Sequence, residues 1–524
     1  MRRSVVAMVL LGVGCATPPR TAPAPAAAAA GAAAPPVGMV TAEELRRDVY
    51  AFADDSMQGR ETGSDGASRA MRFLVDRLQR LGLEPAGDSG FLQRVPMQKE
   101  VFGPATRIVV EENGAARPVK IGTEVIPLLN LGAGVPPTKR VAEGDIVFAG
   151  YGLTLANPKR DDFAGLSLTG KVVVVVNGAP AGVDSARRAE LEAQGAISQR
   201  LAQILPQRPA AIIVLLTGKG TELFEQASPS VERAVTLRTN ALEVPESERQ
   251  IPLIMLGVPA VGSPLLPTGW PADDKAQALT GRRLTARIEQ VKTQFTGYNV
   301  AAIVRGSDPA LRSTYVAFGA HYDHVGIVRG TAGDTIANGA DDDASGSMAL
   351  LAAARAMQQA PVKPPRSTLF VWHTGEEKGL LGSSWFTDHP TVPIDSIVAQ
   401  INADMIGRNA DSLLYVVGPV AAPNNQSKRL GAIVDSVNAS LTPRFAFNRE
   451  WDDPAHPEHI YERSDHFSYA KKGIPIVFFT SGLHDDYHKV GDEPAKIDYA
   501  KMARVTRLMM EVGRAVANSP QRPR

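Results

Sequence analysis

Residues 367–377, STLFVWHTGEE, join a short apolar run to two adjacent glutamates. The run from Ser367 to His373 has the length and the apolar, aromatic composition of a buried β-strand. Glu376 and Glu377 follow directly, where such a strand would leave its sheet. Ligands of open parallel sheets bind beyond the carboxyl ends of the strands. The segment therefore predicts a sheet and also the edge of that sheet at which chemistry takes place.

Other predicted strands end in the same way. Strands predicted at 314–319, 397–403 and 474–480 precede, in that order, His321, Asp404 and His488. Helices predicted at 344–359, 426–440 and 497–517 alternate with these strands. Such alternation predicts an α/β fold with a mostly parallel central sheet flanked by helices. We expect the ionisable side chains to meet at one edge of that sheet.

An acidic run lies between the first two of these strands. Residues 339–346 read GADDDASG and place three carboxylates at the predicted start of a helix. One of them can cap the helix, because a helix N-terminus favours negative charge. Three adjacent carboxylates repel one another, and a bound cation would relieve that repulsion.

Composition limits the chemistry that is available. In 524 residues, 56 Lys and Arg balance 55 Asp and Glu, so the net charge of +1 gives no overall attraction to nucleic acid or to an anionic membrane. Cys15 is the only cysteine, which excludes cysteine-ligated zinc and disulfides within the folded part. All nine histidines lie between His321 and His488. Any metal site must therefore use His, Asp and Glu.

Residues 101–290 differ in character from the sequence on either side. They contain short β-rich runs separated by Gly and Pro, one helical stretch near 185–205, and no histidine. We expect a separate β-rich domain at 101–290, inserted into a main domain formed by residues 40–100 and 291–524. A capping box at Thr41–Glu44 and a helix over 67–81 are predicted in the first part of the main domain.

The N-terminus has the pattern of an export signal. Residues 1–15 combine a basic start with a short apolar run that ends at Cys15, and an Ala/Pro-rich tether follows at 16–39. A small residue before the only cysteine resembles a bacterial lipoprotein cleavage site, with Cys15 as the lipidated residue. This predicts a lipoprotein of the outer membrane or the periplasmic face. The alternative is a plain signal peptide and a periplasmic or secreted protein.

Taken together, the motifs at the strand ends resemble the M28 family of zinc metallopeptidases. The matching stretches are His321-x-Asp323, Gly339–Gly346, Glu376-Glu377-x-Gly-Leu-x-Gly-Ser383, Asp404-Met-Ile-Gly407 and Tyr487-His488-x-x-x-Asp492. Weaker likenesses occur at Gly59–Gly63 and Arg463–His466. In the insert, residues 148–152 and 162–176 resemble the protease-associated (PA) domain that some members carry.

The resemblance implies a site with two zinc ions. Asp342 would bridge them, His321 and Asp404 would bind one ion, and Glu377 and His488 would bind the other. Glu376 would be the general base. Asp323 would accept a hydrogen bond from His321, and Tyr487 would help to stabilise the oxyanion. His324 and His373 are expected to be structural or to support a ligand, and Asp465 or His466 to lie in a loop around the site.

The resemblance also implies the activity. It favours an exported di-zinc exopeptidase, an aminopeptidase acting on peptide substrates, in which Glu376 activates a zinc-bound water. Two alternatives remain at this point. One is a zinc acyltransferase of the glutaminyl cyclase type, which has the same fold, and the other is an inactive surface binding protein that keeps the fold.

Overall fold

The computed structural model describes residues 39–523 apart from short gaps. The gaps are residues 130–135, 157–158, 193–194, 219, 222–223, 225–233, 239–243, 261, 329–332, 419–427, 454–455 and 457. The predicted signal peptide at 1–15, Cys15 and nearly all of the tether at 16–39 lie outside the described residues. Within the described part, no helix has both the length and the apolar character needed to cross a membrane.

The chain forms two compact units. The first, here called the insert unit, comprises residues 99–234 and 239–293, and the main unit contains the described residues before Lys99, residues 235–238 and those from Gln294 onward. The predicted insert at 101–290 differs from this division at its two ends, 99 and 293, and over residues 235–238. Residues 235–238 group with the main unit, because the strand Ala234–Leu237 pairs with the strand Leu92–Phe102.

The strands and helices of both units are numbered together in chain order. The strands are, in chain order, β1 (Glu84–Pro85), β2 (Leu92–Phe102), β3 (Arg107–Glu112), β4 (Ala115–Pro118), β5 (Val125–Leu128), β6 (Val141–Phe148), β7 (Thr154–Leu155), β8 (Arg160–Asp161), β9 (Val172–Asn177), β10 (Ala211–Leu216), β11 (Ala234–Leu237), β12 (Leu253–Gly257), β13 (Gln277–Arg287), β14 (Gln290–Val304), β15 (Tyr315–His321), β16 (Gly326–Ile327), β17 (Ile336–Ala337), β18 (Ser367–His373), β19 (Ile397–Ala403), β20 (Leu413–Val417), β21 (Ala446–Asn448) and β22 (Ile476–Thr480). The helices are α1 (Ala42–Phe52), α2 (Asp65–Arg80), α3 (Ser185–Glu192), α4 (Gly195–Ile204), α5 (Gly346–Gln359), α6 (Leu381–Asp388), α7 (Lys428–Ser440), α8 (His466–Ala470) and α9 (Tyr499–Asn518).

The main sheet has the order β11-β2-β14-β18-β15-β19-β22-β20-β21. Its centre, β18-β15-β19-β22, is parallel, whereas β14 and β20 run antiparallel to their neighbours in that centre. Every residue of β15, β18 and β19 is buried, because helices cover both faces of a parallel sheet. This confirms the predicted α/β fold with a mostly parallel central sheet.

The register of the parallel strands aligns their carboxyl ends. His321 pairs with His373 across β15 and β18, and Gly319 pairs with Asn402 across β15 and β19. The amide of Asp404 donates to the carbonyl of Phe479, 3.3 Å away. The residues that follow β15, β18, β19 and β22 therefore emerge at one edge of the sheet.

Local sequence signals position the helices of the main unit. The Thr41 hydroxyl accepts from the Glu44 amide at 3.2 Å and so caps α1, whereas the Glu44 carboxylate of the predicted capping box accepts from Arg355. Helix α2 begins at Asp65, two residues earlier than predicted, because Ser64 caps it through the amide of Ala67. Helices α1, α2, α5 and α9 bury their apolar residues in one core with one face of the sheet.

The insert unit has its own sheet, in the order β4-β3-β13-β6-β9-β10-β12-β5. Strands β6, β9, β10 and β12 are parallel to one another, and the sheet edges are antiparallel. Helix α4 packs Ile197, Leu201 and Ile204 against one face. A second apolar cluster covers the other face.

Candidate metal centre

His321, Asp342 and Asp404 meet at the carboxyl edge of the main sheet. The His321 Nε2 lies 3.2 Å from Asp342 Oδ1 and 3.6 Å from Asp404 Oδ1. All three residues are buried. Three residues from a span of more than 80 positions thus present nitrogen and oxygen atoms to one point.

A second group forms on the other side of the Asp342 carboxylate. The His488 Nε2 lies 3.1 Å from Asp342 Oδ2 and 2.9 Å from Glu377 Oε2. The two oxygens of Asp342 therefore face different histidines. This is the arrangement that a bridging carboxylate requires.

Asp341 and Asp343, which flank Asp342, hold the surrounding loops in place. The Asp343 carboxylate accepts from the amides of His321, Gly346 and Met405, at 3.2, 2.8 and 3.3 Å. The Asp341 Oδ1 accepts from the Gly407 amide at 2.7 Å. The sequence predicts a helix cap for one of the three carboxylates, and these contacts in addition join the acidic run to the segments that carry His321 and Asp404.

Asp492 orients the backbone of the acidic run from the opposite side. Its carboxylate accepts from the amides of Asp341 and Asp342 at 3.0 to 3.1 Å. Gly339 precedes this turn with φ +57°, and a Cβ there would lie 2.5 Å from the ring of His324. Only glycine accommodates both that backbone conformation and that ring.

The charges at the centre call for a cation. Burial alone would raise the pKa of Asp342, but the imidazoles of His324, His321 and His488 outweigh it and hold that pKa well below its usual range. Burial would lower the pKa of His488, but Glu377 and Asp342 raise it to about 10. Positive charge is thus stabilised strongly between these carboxylates.

The donor set fits zinc. His321, Asp342 and Asp404 each offer a ligand atom, and these atoms lie within 4.8 Å of one another; the same holds for His324, Asp342 and Glu377. Imidazole nitrogen and carboxylate oxygen are ligands that zinc accepts, and three protein ligands leave a position open for water or substrate.

Glu376 faces the centre without belonging to either group of possible ligands. Its Oε2 lies 3.9 Å from His321 Nε2, and its amide donates to Asp323 Oδ1 at 3.2 Å. Burial raises the pKa of Glu376 well above its usual range, and the negative charges of Asp404 and Glu377 add to that effect. A carboxylate in this environment is a good proton acceptor.

Asp323 accepts from His321, as expected, and it does so through its main-chain carbonyl. The His321 Nδ1 lies 3.0 Å from the carbonyl oxygen of Asp323 but 3.9 Å from its carboxylate. That carboxylate instead accepts from the Thr62 hydroxyl at 2.7 Å and from the Glu376 amide. Asp323 thus orients His321 through its main chain and Glu376 through its side chain.

Tyr487 lies beside the centre and has a basic neighbour. Its ring stacks on His488 at 3.8 Å between centroids, and Arg463 donates to its hydroxyl at 3.2 Å. Burial raises the pKa of Tyr487 well above its usual range, so its hydroxyl remains a donor at neutral pH. Arg463 belongs to the weakly matching stretch 463–466, and its proximity to Tyr487 is clear only from the structure.

His324 lies against two of the possible metal ligands, Glu377 and Asp342. Its Nδ1 lies 2.8 Å from Glu377 Oε1 and 3.7 Å from Asp342 Oδ2, and the side chain is fully buried. The signal for this was its place three residues after His321, at the end of the same strand. His373, by contrast, pairs with buried Asp465 at 3.2 Å and with the Tyr469 hydroxyl at 3.0 Å.

A cavity opens onto Asp342, Glu376 and Asp404. Its remaining wall is largely apolar and is formed by Met405, Trp451, Ile460, Phe478 and Leu483. Arg463 and Tyr487 add polar groups to the same wall. The lining of the cavity thus combines the three carboxylates with a group of apolar side chains.

The fold and the site define an α/β protein with a buried group of His and carboxylate side chains, a candidate metal centre, at the carboxyl edge of a parallel sheet. Residues 299–513 match the model of peptidase family M28. Among curated relatives, a probable leucine aminopeptidase of Arthroderma benhamiae is 31% identical over 245 residues, which are 45% of this chain and 62% of that protein. Leupeptin-inactivating enzyme 1 of Streptomyces exfoliatus is 29% identical over 203 residues, 38% of this chain and 39% of that protein.

Two solved structures share the fold over most of their length. The aminopeptidase from Aneurinibacillus sp. strain AM-1 aligns with a TM-score of 0.55 and 18% identity, covering 90% of this chain and 92% of that chain. BSAP, a zinc aminopeptidase from Bacillus subtilis, aligns with a TM-score of 0.53 and 15% identity, covering 90% and 94%. The chain matches only about three fifths of the length of the first curated relatives.

Proposed function

We propose that this protein is a zinc aminopeptidase that binds two zinc ions, with Asp342 between them. The observation that carries the proposal is the position of the Asp342 carboxylate, which turns one oxygen toward His321 and the other toward His488. Asp404 would complete the first set of ligands and Glu377 the second. The match of residues 299–513 to family M28 and the names of the relatives support a peptidase.

The residues of the site divide the work of hydrolysis between them. When bound, zinc polarises the scissile carbonyl and lowers the pKa of water. Glu376 takes a proton from the attacking water as the C–O bond forms, and it delivers that proton to the leaving nitrogen as the C–N bond breaks. Its buried carboxylate, with a raised pKa, supports both steps. The Tyr487 hydroxyl and Arg463 line the same cavity and can donate to the developing oxyanion.

The cavity wall supports a preference for an apolar residue at the substrate N-terminus. Trp451, Ile460, Phe478 and Leu483 provide an apolar surface beside the carboxylates. Each methylene of a substrate side chain that is buried against such a surface contributes about 0.8 kcal/mol to the binding free energy. The free amino group of a peptide would lie at the acidic end, which disfavours blocked substrates.

A substrate panel tests the proposal. Purified protein is assayed with leucine, alanine, lysine and glutamate chromogenic amides, with N-acetyl-leucine amide as the blocked control, before and after chelation and zinc addition. We expect chelator-sensitive release from the leucine amide and none from the acetylated one. Cyclisation of an N-terminal glutamine peptide, with loss of ammonia and no cleavage, would instead indicate a glutaminyl cyclase. A zinc-replete protein that turns over neither substrate would indicate a binding protein.

We propose a separate role for the insert unit, that of a PA-like domain which supplies no metal ligand. Among its described residues, no three His, Asp or Glu side chains are grouped so that they could hold a metal. A described insert side chain found bound to zinc in a metal-loaded crystal structure would contradict this.

We also propose that the protein is exported and lipidated at Cys15. The support is the sequence alone: an apolar run, a small residue and then the only cysteine. Each buried CH₂ of an acyl chain adds about 0.8 kcal/mol of membrane affinity. Cys15→Ser should release the protein from the membrane fraction or block its processing. A soluble wild-type protein that begins beyond residue 16 would contradict lipidation.

A further inference from the structure

The sequence Gly59-Arg-Glu-Thr-Gly63 has no part in the chemistry described so far. It begins at the end of a short 3₁₀ segment, Asp55–Arg60, and leads toward helix α2. We call residues 59–63 the GRETG loop. Its side chains reach three of the segments that carry possible metal ligands.

Arg60 is the most constrained member of the loop. Its side chain is fully buried, and its guanidinium donates to the carbonyls of Tyr322 at 2.9 Å, Asn338 at 2.7 Å and Gly339 at 2.8 Å. A further bond runs to the carbonyl of Phe52 at 3.1 Å. The planar fork of arginine can serve several acceptors at once, which a lysine ammonium cannot do with the same geometry.

These carbonyls belong to the backbone next to the ligands. Tyr322 lies between His321 and Asp323, and Gly339 begins the turn that leads to Asp342. One guanidinium therefore joins the end of strand β15 to the acidic run. These hydrogen bonds of Arg60 help to fix the position of His321 relative to Asp342, on which the first group of possible ligands depends.

The next two residues of the loop, Glu61 and Thr62, connect it to the segment that carries the glutamate pair. The Thr62 hydroxyl donates to Asp323 Oδ2 at 2.7 Å, and the other oxygen of Asp323 accepts from the Glu376 amide. Glu61 Oε1 pairs at 3.1 Å with Nζ of Lys378, which is the residue after Glu377. The loop thus contacts the strand ends of both β15 and β18.

Gly59 allows the loop to approach this closely. It has φ +61°, and a Cβ there would lie 2.4 Å from the carbonyl oxygen of Ala337 and 2.7 Å from that of Gly326. Burial lowers the pKa of Arg60 to about 10, while Asp342 and Asp343 oppose that change. The guanidinium is therefore still charged at neutral pH and offsets part of the carboxylate repulsion.

We propose that the GRETG loop positions the metal centre, with Arg60 as the positioning residue that sets the loops of His321 and Asp342 for zinc binding. This inference rests on the proposed zinc site. It assigns to the loop a role in metal affinity as well as in folding.

The test compares two buried arginines of the full-length protein. Arg200 is also buried and donates to the carbonyls of Tyr151 and Gly178 at 2.7 and 2.8 Å, and these partners, like Arg200 itself, belong to the insert unit. Arg60→Lys and Arg200→Lys are prepared metal-free. Zinc affinity is measured by competition with a chromophoric chelator, and thermal unfolding is recorded without metal.

We expect Arg60→Lys to weaken zinc binding about 10- to 100-fold, as loss of a residue that supports metal ligands does. Arg200→Lys should keep wild-type affinity even if its metal-free form unfolds at a lower temperature. Unchanged affinity in Arg60→Lys would overturn the proposal. Equal weakening in both variants would also overturn it, because the effect would then be general destabilisation.

Thr62→Val provides a second test, needed above all if Arg60→Lys fails to fold. It removes one hydrogen bond to Asp323 and keeps the shape of the side chain. We expect a several-fold loss of zinc affinity, and wild-type affinity in this variant would contradict the loop's role. If wild-type protein binds no zinc, the proposed function itself fails, which separates that result from a failure of this inference.

Discussion

Glu376 and Glu377 are adjacent in the chain, yet their carboxylates face different partners. Glu376 Oε2 lies 3.9 Å from His321 Nε2, whereas Glu377 Oε2 lies 2.9 Å from His488 Nε2. Consecutive residues that leave a strand point in different directions. This difference in partners matches the two proposed roles, with Glu377 as a metal ligand and Glu376 as the proton acceptor.

Exchange of each glutamate for glutamine should separate the two roles. Glu376→Gln should keep its zinc and lose about 10²- to 10⁴-fold in kcat, because only the proton acceptor is removed. Glu377→Gln should lose zinc from the purified protein. Metal analysis and leucine amide hydrolysis are measured on the same preparations. Near wild-type turnover in a zinc-replete Glu376→Gln protein would exclude Glu376 as the base.

The proposed bridging role of Asp342 predicts that its substitution removes zinc from both proposed sites. Asp342→Asn should lower zinc content toward zero, because its two oxygens face His321 and His488. Glu377→Ala should empty mainly the site beside His488. Elemental analysis after dialysis against low zinc distinguishes the variants. Two zinc ions per chain in Asp342→Asn would remove Asp342 from the ligands.

His324 should influence the site of Glu377 more than that of Asp404. Its Nδ1 lies 2.8 Å from Glu377 Oε1, so it holds the oxygen that does not face His488. His324→Asn should weaken one of two zinc-binding steps by about 10- to 100-fold. His456→Asn, in the loop after Trp451, is the matched control and should leave both steps unchanged. Two unaltered binding steps in His324→Asn would make His324 a packing residue.

His466 should make stability depend on pH. Its ring is buried, stacks on Phe478 at 4.6 Å and bonds to the Tyr461 carbonyl at 2.9 Å, and burial lowers its pKa to about 4. The unfolded chain, with an ordinary pKa near ~6.5, takes up a proton first as pH falls. The contribution of His466 to the free energy of unfolding is therefore complete above pH ~6.5. It decreases toward pH 4, by up to about 3 kcal/mol.

Denaturant unfolding of the metal-free protein between pH 7 and 4 measures this effect. His466→Gln does not titrate in that range, so its free energy of unfolding should fall less steeply than that of the wild type. Parallel curves for the two proteins would show that His466 does not contribute to the pH dependence.

Much of the main domain could be predicted from the sequence because its signals are local. The runs at 315–321, 367–373 and 397–403 are buried along their whole length, as apolar strands in the centre of a parallel sheet must be. Helix ends differed from prediction by one or two residues, since caps such as Ser64 are single side-chain contacts. The strand at 234–237 was not predicted, because its place depends on pairing with a distant strand.

The order of the strands and the types of donors that follow them are properties of the sequence alone. Histidine and carboxylate after several parallel strands must meet at one edge, because all carboxyl ends of such strands lie there. The tertiary structure decided how each donor is held. Arg60 bonds to the carbonyl of Tyr322, 262 residues away, and Asp323 turns its carbonyl rather than its carboxylate toward His321. Such contacts depend on backbone atoms that every residue carries, so residue types along the chain hold no signal for them.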